Sequence, residues 1–466
     1  MCAIYGAIVW SQINSETNEK TNELLHAIFD NSFMRGRDGW GHCVINHDDG
    51  LIGTKHIGKY NPMSYPPGPV IKRGLGSCVV LGNHRAEPTT EYVKEKKSTD
   101  QQPYKLGRWA IVHNGTIAND KELRSSIAHK YDSHIDSAAI VELLNDYSEN
   151  GLSSDESFNQ AISNLKGSFA IIASNGETNQ LYVACNYRPI WRLETKHGVF
   201  FGSTRNTFGI HQNPEMVPPY SAIKYFYEDT VLRSTLIKSL IPFVNNARRA
   251  LVVCSGGLDS VVSAIYAQKE MKMEVELMHF HYGSRAGGPE LTAIKAVAEH
   301  MGVPLRIKML PMWDAEDSPL LQANSKLAGG EQGAEFAHEW VPARNLVMLA
   351  VATAYAEAKG FNYIVLGNNL EEAGAYPDNE PEFIDKFNDM LPFAVGDGKR
   401  VQVLMPVGNM MKHEIVKLGH NIGAPMHLTW SCYRAGQYHC GKCGPCFMRR
   451  TAFEINELEE VIKYEE

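Results

Sequence analysis

Through the first half of the chain, apolar residues gather in short runs separated by turn-forming residues. "CAIYGAIVW", "SCVVLGNHRA", "WAIVHNGTI", "SFAIIAS", "QLYVAC" and "GVFFGST" have the length and the β-branched or aromatic content of strands. Two segments, "NEKTNELLHAIFDNSF" and "DSAAIVELLNDYS", carry apolar residues at helical spacing. Sheets with helices packed on their faces are the expected product.

The rhythm changes after "STLIKSLIPFVNNARR". "ALVVC" is a short apolar run suited to a buried parallel strand, and a helical stretch starts at Leu258. Strand "VELMHFHY", helix "PELTAIKAVAEHM", strand "LRIKML", helix "RNLVMLAVATAYAEAKG" and strand "YIVLG" follow. This alternation predicts a doubly wound α/β domain. The boundary is expected between about residues 220 and 248, giving domains over 2–225 and 248–466.

Composition adds limits. At 466 residues the chain exceeds what one ordinary core serves. Hydrophobic content of 44% with 21% charged residues fits a water-soluble globular protein. No apolar run has bilayer length, and the first residues lack a signal-peptide pattern, so a cytoplasmic location is expected. Nine cysteines then read as thiols, metal ligands or a nucleophile rather than disulfides. A formal charge of −8 gives no basic footprint for nucleic acid. Arg434, Lys442, Arg449 and Arg450 are expected on a solvated surface.

Chemistry enters at the second residue. Removal of Met1 would leave Cys2 with a free α-amine beside its thiol. The thiolate can attack a carbonyl while the amine, with a pKa of about 8, shuttles the proton. A buried apolar cysteine is the bland reading of Cys2. Downstream lie "RGRDGWG" with Arg35 and Gly36, "NHRAEPT" with Arg85, "VHNGTI" with Asn114 and Gly115, and "IDSAAIV" with Asp136. Asn114-Gly115 between apolar runs is also a strong hairpin signal, and the turn could present the Asn114 amide and the Gly115 N–H as an oxyanion hole. Asp136 alone would read as a helix cap.

In their order, these segments resemble the class II, N-terminal nucleophile glutamine amidotransferases over roughly residues 2 to 210. The resemblance implies an αββα sandwich with Cys2 as nucleophile and Arg35 near it. It further implies that Arg85 holds the glutamine α-carboxylate and Asp136 its α-ammonium.

In the second half, "CSGGLDSVV" lies between a strand and a helix, where glycines admit a phosphate to a helix N-terminus. It is not a Walker loop, because no G-K-[ST] follows. Ser255, Gly256, Gly257, Leu258, Asp259 and Ser260 match the loop of the N-type ATP pyrophosphatases, a resemblance that implies ATP and Mg²⁺ binding. "CYRAGQYHCGKCGPC" places Cys432, Cys440, Cys443 and Cys446 as C-x7-C-x2-C-x2-C. Four thiolates suit a closed, structural zinc site, with an iron–sulfur cluster as the competitor. Cys43, Cys78, Cys185 and Cys254 read as buried apolar residues.

An amidase joined to SGGLDS also describes asparagine synthetase, which lacks the cysteine cluster. This half instead resembles the 7-cyano-7-deazaguanine synthases, the QueC family, from about residue 248 to 456. "HYGSR", "WVPARN", "GNNLEEAGAYPDNEPEF", "HEIVKLG" and "LTWSCY" carry the likeness. It implies a deazaguanine pocket built from Arg344, Asn345, Glu371, Tyr376, Pro377 and Asp378, whose carboxylates and aromatic face suit a guanine-like base. On the residues alone, Asn345 could cap a helix and Pro377-Asp378 form a turn.

Ammonia released at Cys2 would be protonated in water, so the fusion implies direct, shielded delivery to the second domain. Family members usually carry cysteine and arginine after the proline–aspartate pair, where this chain has Asn379-Glu380. A glutamate there opposes a substrate carboxylate. That fits a substrate whose carboxylate is already gone, and the fusion resembles the amidotransferase–QueC proteins of archaeosine-type formation, a resemblance that implies ammonia adding to the nitrile of 7-cyano-7-deazaguanine to give the formamidine. The alternative is a glutamine- and ATP-dependent synthase acting on 7-carboxy-7-deazaguanine, or stopping at the amide, and the intact SGGLDS loop favours it. A catalytically silent deazaguanine- or nucleotide-sensing module is the non-enzyme reading, against which intact Cys2, Asn114-Gly115 and SGGLDS speak. The acceptor base could be free, in tRNA or in DNA. A homodimer is the base-rate expectation.

Overall fold

The computed structural model describes residues 2–11, 15–46, 50–61, 68–72, 76–86, 97–176, 180–209, 211–240, 248–322, 325–327, 329–330, 339–373, 376–396 and 400–465. Two compact units are present, Met1–Ile241 and Pro242–Glu466. The segment joining them, 241–247, lies outside the described residues.

In the first unit, a seven-stranded and a six-stranded antiparallel sheet stack face to face. Ala3–Ser11 is central to the larger sheet, between Gly198–Gly202 and Gly76–Arg85. Its residues alternate between two cores, as a period of two requires. Ile4 and Ile8 face the other sheet together with Val79, Leu81, Val112, Ile172 and Val183. Tyr5, Ala7 and Val9 face the other way, onto Leu25, Ile28 and Phe29 of the helix Ser15–Ser32. The six-stranded sheet does the same. Trp109, Ile111 and Ile171 pack on Ile140, Val141 and Leu144 of the helix Ala138–Glu149 and on Phe158 of the helix Ser154–Asn164. Four layers result, in the αββα order of an N-terminal nucleophile hydrolase.

One local expectation is corrected. Asn114-Gly115 forms no turn, because both residues lie inside the strand Trp109–Ile117, opposite Ala170 and Phe169 of Gly167–Asn175. Apolar residues on both sides continue one ladder rather than two. Glycine is required here for another reason. With φ of 155°, a Cβ on Gly115 would sit 1.9 Å from the Ser168 carbonyl oxygen.

The second unit holds five parallel strands in the order Leu305–Met309, Glu274–His281, Arg249–Val253, Tyr363–Val365, Gln402–Leu404. Helices cover both faces. Ala250, Val252 and Leu277 pack on Val261, Ala264, Ile294 and Val297, whereas Leu251, Met278 and Ile364 pack on Leu349, Ala352, Ile384 and Phe387. Strand order reverses between Arg249–Val253 and Tyr363–Val365, and ligands of such sheets bind at that switch point. Helices Lys412–Asn421 and Gly444–Ile455 pack on Leu258 and Val262. Arg449 is not on a solvated surface. It is 1% exposed and bonded to the Met426 carbonyl, Thr429 Oγ1, Ser431 Oγ and the Glu460 carboxylate.

Candidate functional site

Strand register assembles the first group of candidate residues. Ala3 pairs with His84, which puts Cys2 beside Arg85, and the Cys2 Sγ lies 3.7 Å from the Ala86 carbonyl oxygen. Gly36 rests against the same chain end, and a Cβ there would be 2.1 Å from the His84 oxygen. That close approach brings in Arg35, whose Nη1 donates to the Ser203 carbonyl at 3.3 Å. Burial, followed by the nearby Arg188, pulls the Arg35 pKa down, and Cys2 opposes that shift. Arg85 is 3% exposed and donates to the Asp100 carbonyl at 2.7 Å.

The second group sits on the other sheet. Asp136 is not a simple helix cap. Its Oδ2 accepts from the Ile117 N–H at 2.5 Å and its Oδ1 from the Ser137 N–H at 2.6 Å. Ser137 Oγ donates to Asp136 Oδ1 at 3.2 Å and lies 2.7 Å from Nδ1 of His113, the neighbour of Asn114. Burial pushes the His113 pKa down to about 4.

Residues that the motifs do not mark join the groups. Gln102 brackets the His113 peptide, donating to its oxygen at 3.0 Å and accepting from its N–H at 2.6 Å. Two residues before it, Asp100 receives Arg85 through its carbonyl and Ser133 Oγ through its carboxylate, at 2.7 Å. Arg85 is thus tied through Asp100–Gln102 to His113, the neighbour of Asn114, and His113 through Ser137 to Asp136. Such a cluster can supply a thiol nucleophile, a guanidinium for a carboxylate and a carboxylate for an ammonium.

In the second unit the SGGLDS loop leaves Arg249–Val253 at the switch point and enters the helix Leu258–Lys269. Gly256 has φ of 87° and packs where a Cβ would be 2.9 Å from the Glu290 carbonyl oxygen. Gly257 N–H donates to Ser255 Oγ, and Ser260 Oγ donates to the Gly257 carbonyl, both at 3.1 Å. The Asp259 carboxylate pairs with Lys412. A cavity of about 220 Å³ opens below, lined by Ser255, Asp259, Tyr282, Glu290, Arg344 and Asn379 among others. A smaller cavity shares Arg344, Asn379 and Tyr433 with it and adds Glu339, Trp340, Tyr376 and Asp378.

Four of the candidate base-binding residues, Arg344, Asn345, Tyr376 and Asp378, line these two cavities, whereas Pro377 and Glu371 line neither. Asn345 does not cap its own helix. Its N–H donates to Asp378 Oδ2 at 3.0 Å, so Asp378 caps the helix Arg344–Lys359. Asn345 Nδ2 also donates to Asn379 Oδ1 at 2.5 Å, and Arg344 Nη1 to the Tyr282 hydroxyl at 3.3 Å. Burial raises the Asp378 pKa, against the Asn345 N–H and Arg344. Tyr376 stacks near Trp340, with rings 6.1 Å apart at 16°. Glu371 is one of the two outside them. It lies in the helix Leu370–Ala373, is absent from both linings, and its Oε2 is buried without a hydrogen-bond partner among the described residues.

Cys432, Cys440, Cys443 and Cys446 are buried, with sulfurs within 4.8 Å of one another. Backbone N–H groups point at sulfur: Arg434 and Cys440 toward Cys432 at 3.3 and 3.4 Å, Lys442 and Cys443 toward Cys440 at 3.4 and 3.3 Å. Such donors stabilise thiolates, and this donor set fits a tetrahedral zinc ion with no open position. The module reaches the cavities directly. Tyr433 lines both, and Trp430 N–H donates to the Gly256 carbonyl at 2.9 Å.

Comparison with known proteins divides the chain likewise. Residues 249–457 match the family described as queuosine biosynthesis protein QueC, and residues 90–209 match a glutamine amidotransferase domain. A 7-cyano-7-deazaguanine synthase of Sulfolobus acidocaldarius is 41% identical over all of both chains. The 7-cyano-7-deazaguanine synthase 2 of Sulfurisphaera tokodaii is 40% identical, again over all of both. A 7-cyano-7-deazaguanine synthase of Methanothrix thermoacetophila is 39% identical over 47% of this chain and 99% of its own.

Proposed function

The chain belongs to the family of full-length relatives named 7-cyano-7-deazaguanine synthase, and from that premise we propose that it moves ammonia from glutamine to a 7-deazaguanine, converting a 7-cyano group to the formamidine. Cys2 is the nucleophile that forms the γ-glutamyl thioester, with Asn114 and Gly115 facing the developing oxyanion. Arg85 and Asp136 hold the two ends of glutamine. Arg344, Asn345, Tyr376 and Asp378 hold the base.

The observation that carries this reading is the charge around the candidate base site. Among the described lining residues of the two cavities the one guanidinium is Arg344; Asp259 is paired with Lys412, and Glu339, Asp378 and Glu290 remain, the last two with pKa values that burial raises. His279 adds no charge, because burial lowers its pKa. An anionic carboxylate substrate is disfavoured in such a place. A neutral nitrile is tolerated and a cationic amidine product is favoured. The base could enter free or as part of tRNA or DNA.

A second reading has its own support. The SGGLDS loop keeps its glycines, its helix N-terminus and its Asp259–Lys412 pair. Adenylation of a carboxylate would use ATP there, and the full-length relatives are named synthases. If bound, zinc at the four cysteines would supply structural support and no reacting group. Equilibrium binding separates the readings: the amidine reading requires 7-cyano-7-deazaguanine to bind at least about tenfold more tightly than 7-carboxy-7-deazaguanine at pH 7. The reverse order supports the synthase.

A further inference from the structure

Glu290 lines the larger cavity from the first turn of the helix Gly287–Met301, yet no motif marks it. Its backbone carbonyl packs against Gly256 of the SGGLDS loop, and the residue lines the space that Arg344, Asn345 and Asn379 border. The cavity's other described carboxylate, Asp259, is paired with Lys412. Glu290 has no such ion pair among the described residues. Among the described residues the one hydrogen bond to its carboxyl comes from Ser284 Oγ, at 3.2 Å on Oε2, and Oε1 is left without a donor. Arg344 is near enough to attract it but is committed to the Tyr282 hydroxyl. Burial raises the Glu290 pKa against the pull of Ser284 and Arg344, which keeps a larger share of it protonated. A partly buried acid with one free oxygen among the described residues, beside the residues proposed to hold the base, is equipped to pass a proton.

We infer that Glu290 is the proton-transfer group of the ammonia-addition step, an inference that rests on the amidine reading above. The ammonia lone pair forms the new C–N bond at the nitrile carbon while one C≡N π pair moves to nitrogen. That nitrogen takes the proton of Glu290. The resulting carboxylate then takes a proton from the newly bound ammonium, which restores the acid and leaves the neutral formamidine, a strong base that takes a further proton from water to give the cation. Atoms and electrons balance without a co-reactant. Addition to a nitrile stalls unless nitrogen is protonated as it gains charge, so a positioned acid contributes directly to the rate.

The test uses the full chain with ammonium chloride as nitrogen source, which leaves the glutaminase out of the measurement. Glu290→Gln keeps size and hydrogen bonding but holds no transferable acid proton. It should lower kcat for formamidine formation by at least about 100-fold, with the Kd for 7-cyano-7-deazaguanine within about threefold of wild type. Glu290→Asp, an acid one methylene shorter, should recover part of the rate. Glu290→Gln turnover near that of wild type overturns the inference and leaves the amidine reading intact. Loss of nitrile binding in both variants also overturns it, because Glu290 then only shapes the cavity. A wild-type protein that binds the nitrile but forms no formamidine contradicts the amidine reading itself.

Discussion

Cys2 lies beside Arg85 because the first strand pairs with Gly76–Arg85 in the register Ala3–His84, and a slip of one residue would turn the thiol to the other face. Two predictions belong to single residues here. Cys2→Ala should lower glutamine-dependent activity by at least about 1000-fold while activity with ammonium salts persists, measured by product formation with each nitrogen source. Loss of both activities would place Cys2 outside ammonia release. Asn114→Ala should cost about 100- to 1000-fold in glutaminase kcat, the usual effect of removing one oxyanion donor. A rise in KM with kcat unchanged would assign Asn114 to binding instead. Gly115 tolerates no side chain for the same geometric reason that excludes a turn, its approach to the Ser168 carbonyl.

At the level of elements, the strands that carry motifs were legible because each is an uninterrupted apolar run. Trp109–Ile117 and Gln180–Cys185 coincide with the runs that predicted them. The strand Gly39–Asn46 was not legible: "GWGHCVIN" mixes glycine, histidine and tryptophan, and its aromatic side chains pack under the first helix rather than alternating with polar ones. The helix Pro381–Ala394 was hidden by the proline at its start and another inside it. The candidate sites show the same division. Motif residues stand out by type and order, whereas Gln102, Asp100 and Glu290 act through positions that only the fold brings near. Arg449 is the clearest case, an arginine that composition places in water and tertiary structure buries. Arg449→Ala leaves Glu460, 11% exposed, without its cation and frees Met426–Ser431, the segment that reaches Gly256. It should cost about 3–5 kcal/mol of unfolding free energy, read from denaturant midpoints. A change below about 1 kcal/mol would contradict this account of the segment. Metal removal should act on the same segment, lowering the melting temperature and changing Trp430 fluorescence upon chelation.

For the whole molecule, the first unit depends on histidines kept neutral. Burial pushes His42, His84 and His113 each down to about 4, below the ordinary value of 6.5. A folded-state pKa below the unfolded one means that the unfolded chain binds the extra protons. Stability from these groups is therefore complete above pH 6.5 and is lost as the pH falls toward 4, by up to roughly 3 kcal/mol per histidine. Denaturant titrations at successive pH values should show the loss in that window, and replacing His84 with Gln should shrink it. A stability profile flat from pH 7 to pH 4 would contradict the burial assigned to these rings.

The central claim is that ammonia made at Cys2 is spent on a 7-deazaguanine nitrile. Its most direct test is the product mass from the full chain given amide-¹⁵N-labelled glutamine and 7-cyano-7-deazaguanine, with and without ATP, beside a parallel reaction on 7-carboxy-7-deazaguanine. The account predicts that the nitrile gains one labelled ammonia and that omitting ATP does not abolish the reaction. Consumption of the carboxylate alone, in an ATP-dependent step that yields labelled nitrile, would contradict it and identify a synthase that carries its own ammonia source.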